Sequence, residues 1–415
     1  MSTDQTTVAR PAGASLSGAP AAASAPRMTW QILVISAAAL AVIGQLYLAL
    51  PLLSAVADST GSTVAQASWA VTAFGAAYAL GFLVLGPLGP RLGYRRLIVG
   101  GTAATALFAA VTAFMPTIEA VIAARLLQGC AAAAFAPTAI AYLTRNIPAH
   151  RRPLAFTALT SSFLAAAVVA QVAAQLLAAR WDWQTVFLAS AAVTAVVAVA
   201  ARYVLVPDRP GSTVSPAGAY RGLLRAAVQP ALIPLYLVAL TLLFAFVGLY
   251  AAIRLADPLG VAADDGALLA LRAGGLPAIA IAPLVTPLLS RFSPVQRLAL
   301  SVAFAALFLA AAGLSVPLGS VALFTLLVAG FVLATAVAAP AAMQASTVAA
   351  GENVAGAGAM YGFWLYIGSS AAAPVVAGAS GLGFTALSCL FAAVLLAGAA
   401  AALLSGGRSR RAAAR

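Results

Sequence analysis

Twelve apolar stretches, each near the roughly 20 residues a helix needs to cross a bilayer, fill the sequence almost end to end. They fall near residues 30–53, 66–89, 96–115, 117–143, 154–178, 184–205, 230–252, 266–289, 296–315, 318–343, 354–379 and 382–405, with short turns between them. Apolar residues make up 63% of the 415 and charged residues only 7%, against the roughly 25% charge of a soluble domain. So few charges cannot cover a water-facing surface, and most of the exterior must meet lipid. The expected fold class is an all-α membrane protein with 12 transmembrane helices.

The positive charges are distributed as a topology. The 22 basic residues are all arginines, and the net charge is +13. With the N-terminus placed in the cytoplasm, Arg91, Arg95, Arg96, Arg145, Arg151, Arg152, Arg209, Arg221, Arg225, Arg291, Arg297 and the tail arginines from Arg408 onward fall inside. Arg180 and Arg254 fall outside, with Asp58, Asp182, Asp257, Asp264 and Asp265. This is the bias that orients membrane helices, so the charge reads as topology and no nucleic-acid partner is expected. Both termini are expected in the cytoplasm of a bacterial inner membrane. The absence of lysine excludes a P-loop lysine and a Schiff-base lysine, so ATP-driven work by this chain is not expected, and no cofactor is called for. Cys130 and Cys389 lie in apolar runs and read as free buried thiols.

The longest break between spans, 206–229, divides the chain almost in half. Pro87, Leu88 and Arg91 after the second span are matched by Pro287, Leu288 and Arg291 after the eighth, 200 positions later. Pro137 interrupts span four and Pro340 interrupts span ten, 203 positions later. These offsets suggest a duplicated unit of the kind that builds transporters around a site between repeats. The expected division is a disordered tail over 1–29 with no signal peptide, a six-helix half over 30–205, and a cytoplasmic linker over 206–229. A second six-helix half then runs over 230–405 and a basic tail over 406–415.

Two motifs carry a resemblance. The loop after span two runs from Gly86 through Leu88, Pro90, Arg91, Gly93 and Tyr94 to Arg95 and Arg96. In span four, Arg125, Gln128 and Gly129 stand at i, i+3 and i+4 and share one helix face. An arginine inside a span costs about 2.5–3.5 kcal/mol to insert, and an intramembrane charge is a functional-site hypothesis by default. The chain resembles the major facilitator superfamily over its whole length. That family's signature loop matches at Gly86, Leu88, Arg91, Gly93, Arg95 and Arg96, and Pro90 stands where the family has Asp. The Arg125–Gln128–Gly129 motif is similar to the family's second motif, in which the Arg is linked to proton coupling. The stretch Tyr361–Ser370, with Trp364 and Tyr366, is similar to bacterial exporters related to the drug:proton antiporters, as are Leu50–Leu52 and Ser68–Trp69. Ala166, Ala170 and Ala174 of span five read equally as a degraded antiporter motif or as close helix packing.

The resemblance implies two pseudo-symmetric six-helix halves about a central cavity. The function it implies is a secondary active exporter of a small organic molecule or drug, coupled to protons. An uncoupled facilitator or importer of a small metabolite stays open, and an intramembrane enzyme is a remote alternative. That enzyme would need paired acids, a metal cluster or an activated nucleophile, and His150 is the single histidine. The expected cavity residues are Gln45, Tyr47, Arg125, Gln128, Tyr250, Arg272, Tyr361 and Trp364, and they suit a neutral or anionic molecule. Arg272 reads equally as a substrate contact or as a side chain snorkelling to the outer interface. Glu119 and Arg125 are the expected proton-linked pair, although six residues separate them and a straight helix would put them on different faces. Gly86, Arg91, Gly93, Arg95 and Arg96 form the expected gating loop. Glu352, at the start of span eleven, is the carboxylate that could face it in place of the missing Asp. The partners are lipid, the small-molecule substrate and protons, and a monomer is expected.

Overall fold

The computed structural model describes residues 25–85, 88–148, 151–207, 215–289, 291–351 and 353–413. Gly86, His150 and Glu352 lie outside them, and with Glu352 the expected latch. All the regular elements among the described residues are helical. In chain order they are α1 (Ala25–Leu48), α2 (Leu53–Thr60), α3 (Val64–Leu85), α4 (Gly89–Leu92), α5 (Tyr94–Ala113), α6 (Ile118–Ala132), α7 (Phe135–Asn146), α8 (Arg152–Ala178) and α9 (Trp183–Val204). After the central break come α10 (Pro216–Val228), α11 (Ile233–Ala256), α12 (Asp265–Ala273), α13 (Gly275–Val285), α14 (Pro294–Ser315), α15 (Val321–Ala350), α16 (Val354–Gly378) and α17 (Gly383–Ala413).

Ten helical segments among the described residues are long and apolar enough to cross a membrane. The fold is therefore that of a multi-pass membrane protein. The eighth expected span is not among the ten because it is broken between α12 and α13 at Gly274, leaving a shorter apolar stretch over 266–282. Pro277 follows in the first turn of α13, where its missing N–H costs no hydrogen bond. The eleventh expected span, α16, is a single helix of 25 residues with Pro374 inside it.

Proline explains one break and fails to make another. Pro137 cannot donate to the carbonyl of Ala133, and span four parts there into α6 and α7. Pro340, expected to interrupt span ten, sits inside α15, which continues through it for 30 residues. The central linker is also more ordered than a connecting segment would suggest. Ser215 caps α10 by accepting from the Gly218 N–H at 3.1 Å, with Pro216 at the first helical position. Leu223 and Ala226 are buried while Leu224 and Val228 are exposed, so α10 packs on the protein along one side.

The helices before α10 meet those after it along two seams. α3 packs on α16, while α8 packs on α13 and α15. Close approach depends on small residues. A side chain on Gly129 of α6 would overlap the Phe74 carbonyl of α3, and one on Gly368 of α16 would overlap the Leu240 carbonyl of α11. Ala166 and Ala174 of α8 are fully buried, and Ala170 faces Gly44 of α1, which gives the alanine repeat a packing role. Cys130 and Cys389 are free as expected, but neither is buried: Cys130 is exposed and Cys389 half-buried.

Candidate functional site

Two cavities lie at the centre, between the helices that precede α10 and those that follow it. The first has an empty volume of about 800 Å³ including its mouth. Its wall is aromatic and aliphatic, with Phe82, Phe163, Leu242, Met343, Tyr361 and Tyr366 among the lining residues. Among the described residues no charged side chain lines it, and Thr160 and Thr335 supply hydroxyls. The Thr335 Oγ1 is buried with no hydrogen-bond partner among the described residues.

The second cavity, about 1050 Å³ including its mouth, is more polar. Gln171 of α8, Tyr250 and Arg254 of α11, and Arg272 of α12 line it, and no carboxylate is among its described lining residues. Arg272 is 4% exposed, so its guanidinium is held inside the protein and does not reach out to an interface. The Tyr250 hydroxyl is buried without a partner among the described residues. The two cavities share Tyr47, Ala167 and Phe246. These three side chains form a neck between an apolar chamber and a cationic one. Phe246 is braced by Tyr250 (edge-on, centroids 5.6 Å apart) and by Phe331 (6.3 Å).

The expected cavity residues therefore divide. Tyr47, Tyr250, Arg272 and Tyr361 line the cavities. Gln45, Arg125 and Gln128 line neither, and instead form a buried network beside them. Arg125 is completely buried. Its Nη1 donates to Gln128 Oε1 at 2.6 Å, and its Nη2 donates to the Gln45 carbonyl at 2.8 Å. Gln128 Nε2 donates to Gln45 Oε1 at 3.1 Å, and Gln45 Nε2 donates to Thr194 Oγ1 at 3.2 Å. The guanidinium lies 4.3 Å from the Phe74 ring centroid, a contact worth about 2 kcal/mol or more when desolvated. Gly129 makes this possible by bringing the α3 backbone at Phe74 against α6. Gln128 Nε2 also donates to the Thr105 carbonyl of α5 at 3.3 Å, so the motif is a clamp that joins α1, α3, α5, α6 and α9.

The expected Glu119–Arg125 pair is not formed. Glu119 is exposed in the first turn of α6, while Arg125 is buried further along the same helix. Trp364 is half-buried against Phe363 (5.4 Å) and lines neither cavity. Sequence reasoning missed Phe74, Tyr78 and Phe82, which stand at i, i+4 and i+8 on α3. Tyr78 and Phe82 meet Tyr366 of α16 at 4.4 and 5.6 Å between centroids. The same periodicity that stacks these rings was the available signal.

At the other end of α3, Gly93 adopts φ +88°, a conformation that favours glycine, and separates α4 from α5. Arg91 and Arg96 are exposed there, and Arg95 donates to the Arg202 carbonyl at the end of α9. Arg145 lies over the Tyr94 ring at 5.2 Å. The model of the Major Facilitator Superfamily matches residues 34–373, which takes in this loop, the first cavity and all of the second cavity's lining but Val376.

The chain belongs to the Major Facilitator Superfamily. Among relatives in that superfamily, the multidrug efflux pump LfrA of Mycolicibacterium smegmatis is 31% identical over 179 residues, covering 42% of this chain and 35% of LfrA. The methylenomycin A resistance protein of Streptomyces coelicolor is 27% identical over 151 residues, covering 36% of this chain and 32% of the relative. The multidrug export protein EmrB of Escherichia coli K12 is 24% identical over 132 residues, covering 32% of this chain and 26% of EmrB. The chain thus spans about a third or less of the length of the relatives it matches.

Proposed function

We propose that this chain is a secondary active exporter of a small, neutral or anionic amphipathic molecule, driven by the proton gradient. The observation that carries the reading is the pair of central cavities that share the Tyr47–Ala167–Phe246 neck. A site that can be reached from either of two chambers, with a thin aromatic barrier between them, suits alternating access. The apolar chamber would take the body of the molecule, and Arg272 and Arg254 favour a hydrogen-bond-accepting or anionic end. The names of the relatives, two of which refer to multidrug efflux or export and one to methylenomycin A resistance, support the direction.

In this reading the chain has twelve spans in two six-helix halves, 30–205 and 230–405. Broken α12–α13 and proline-containing α16 serve as the eighth and eleventh spans. The arginine distribution supports an inner-membrane protein with both termini in the cytoplasm. The clamp around Arg125 would act as a rigid strut of the first half, and the loop from Arg91 to Arg96 would sit at its cytoplasmic gate.

The test compares deletion and overexpression strains for drug sensitivity and secreted metabolites, then follows the selected compound in vesicles. Export should lower accumulation and should stop when an uncoupler collapses the proton gradient. Flux that continues down the compound's own gradient after uncoupling would replace the exporter with a facilitator.

A further inference from the structure

The wall of the apolar chamber holds a hydroxyl that the fold does not use. α15 supplies Thr335, Ala339 and Met343 to that wall, at i, i+4 and i+8. Thr335 is 1% exposed, and of the described lining residues it alone has a buried polar atom without a hydrogen bond. The other hydroxyls of the wall are accounted for. Thr160 donates to the Phe156 carbonyl at 2.9 Å, and Tyr361 to the Ala339 carbonyl at 3.4 Å. Tyr47 and Tyr366 have the hydroxyls of Ser369 and Tyr78 beside them.

A threonine within a helix can turn its hydroxyl back to the carbonyl four residues before it. Thr105, Thr112, Thr160 and Thr194 do so, at 2.7 to 2.9 Å. The same bond from Thr335 would go to Phe331, and it is not made. A buried hydroxyl without a partner costs stability, so its presence beside Phe163, Leu242 and Met343 points to a partner that the ligand brings. Phe331 packs on the neck ring Phe246 at 6.3 Å. Thr335, one turn further along α15, therefore stands at the neck end of the chamber, with Met343 about 12 Å beyond it at 1.5 Å per residue.

We propose that Thr335 is a specificity-determining residue, donating a hydrogen bond to an uncharged carbonyl-type oxygen (ketone, quinone, ester or lactone) on an aromatic or alicyclic compound. The inference rests on the exporter reading for the presence of a compound in this chamber, and it narrows that compound's chemistry. An acceptor suits a single hydroxyl better than an alcohol or amide N–H does, because unused lone pairs are tolerated more readily than an unused donor. A carboxylate is disfavoured at this point, since one hydroxyl cannot replace the hydration of a charge among apolar walls. A charged end of the same compound would lie across the neck, toward Arg272 and Arg254.

The experiment uses the full chain reconstituted in lipid nanodiscs. Binding of 2-acetylnaphthalene, its oxygen-free isostere 2-isopropenylnaphthalene and 2-naphthoate is measured by equilibrium dialysis, with empty nanodiscs subtracted. The wild type should bind the ketone roughly tenfold more tightly than the isostere, the worth of one hydrogen bond. The carbonyl stretch of the bound ketone should fall in frequency, as it does on accepting a hydrogen bond. Thr335→Val keeps the shape without the hydroxyl and should abolish both the preference and the frequency shift, while Thr335→Ser should keep both. Naphthoate should bind the wild type and Thr335→Val alike. Without ligand, Thr335→Val should melt at a higher temperature than the wild type, because an unpaired buried hydroxyl is gone. Four results would each overturn the assignment: no binding of the ketone or equal binding of the isostere by the wild type, a preference that survives in Thr335→Val, an equal loss of naphthoate binding in that variant, or a lower melting temperature when it is ligand-free. None of these readouts uses a proton gradient, so uncoupler-sensitive export stands or falls separately.

Discussion

Arg125 shows how a single charge is accommodated in an apolar interior. Among the described residues it has no carboxylate partner, and its positive charge is shared among the Gln128 amide oxygen, the Gln45 carbonyl and the Phe74 ring. A lysine keeps the charge but cannot hold both oxygens while lying flat on a ring. Arg125→Lys is expected to lower the melting temperature and to lose most transport. Arg125→Leu leaves two buried acceptors without donors and should cost about 2–3 kcal/mol or more. Melting curves of the purified variants check both, and wild-type stability in Arg125→Leu would contradict the clamp. Phe246 is one of the two aromatic side chains of the neck, so Phe246→Ala should join the two cavities. The expected outcome is a compound leak across vesicles that continues without a proton gradient. This much of the site was only partly legible in the sequence. A charge in a span and its i+3 glutamine are conspicuous, so Arg125 and Gln128 were found. The walls of the apolar chamber were hidden because Phe82, Phe163 and Phe246 look the same in a sequence whether they face lipid or a cavity. Arg272 was visible as a charge, but its enclosure depends on how α12 packs.

At the scale of elements, α10 is the part that composition conceals. Its arginines, glycines and proline suggest a plain linker, yet it buries Leu223 and Ala226 and its polar bonds reach three other helices. The Tyr220 hydroxyl donates to the Val84 carbonyl of α3 at 2.8 Å. Gln229 Nε2, just past its end, donates to the Ala349 carbonyl of α15 at 2.9 Å. Asn353, at the entry to α16, donates from Nδ2 to the Gly222 carbonyl at 2.7 Å. A side chain on Gly356 would come within 2.8 Å of that same carbonyl, so the crossing of α10 and α16 needs a bare backbone. α10 therefore clasps the ends of helices from both sides of the central break. Asn353→Ala should cost about 1 kcal/mol and should speed hydrogen exchange across 216–228. Unchanged exchange would mean that α10 is held by its buried Leu223 and Ala226 alone. Proline was a weaker guide than the break at Ala133 suggests. Neighbouring helices can satisfy a freed carbonyl in a membrane protein, and α15 passes through Pro340 without interruption.

For the whole molecule, the apolar pattern revealed the helices far better than it revealed their arrangement. Lengths near 20 residues set the spans because the bilayer sets them. The central cavities depend on which apolar faces turn inward, and hydropathy does not record that. Reporter fusions after residues 60, 148, 215, 260 and 350 should read outside, inside, inside, outside and inside. An outside signal at 148 or 215 would contradict the orientation drawn from the arginines.

Alternating access through the neck is the central claim, and site-directed thiol labelling tests it most directly. In a background where Cys130 and Cys389 are replaced, single cysteines are placed at Met343 in the apolar chamber and at Val247 in the cationic one. A membrane-impermeant reagent is then applied from each side in turn, with and without a transported compound. The account predicts reciprocal change: as labelling at one position rises, labelling at the other falls. Labelling that rises at both positions together, or that is open at both at once in the intact protein, would contradict it.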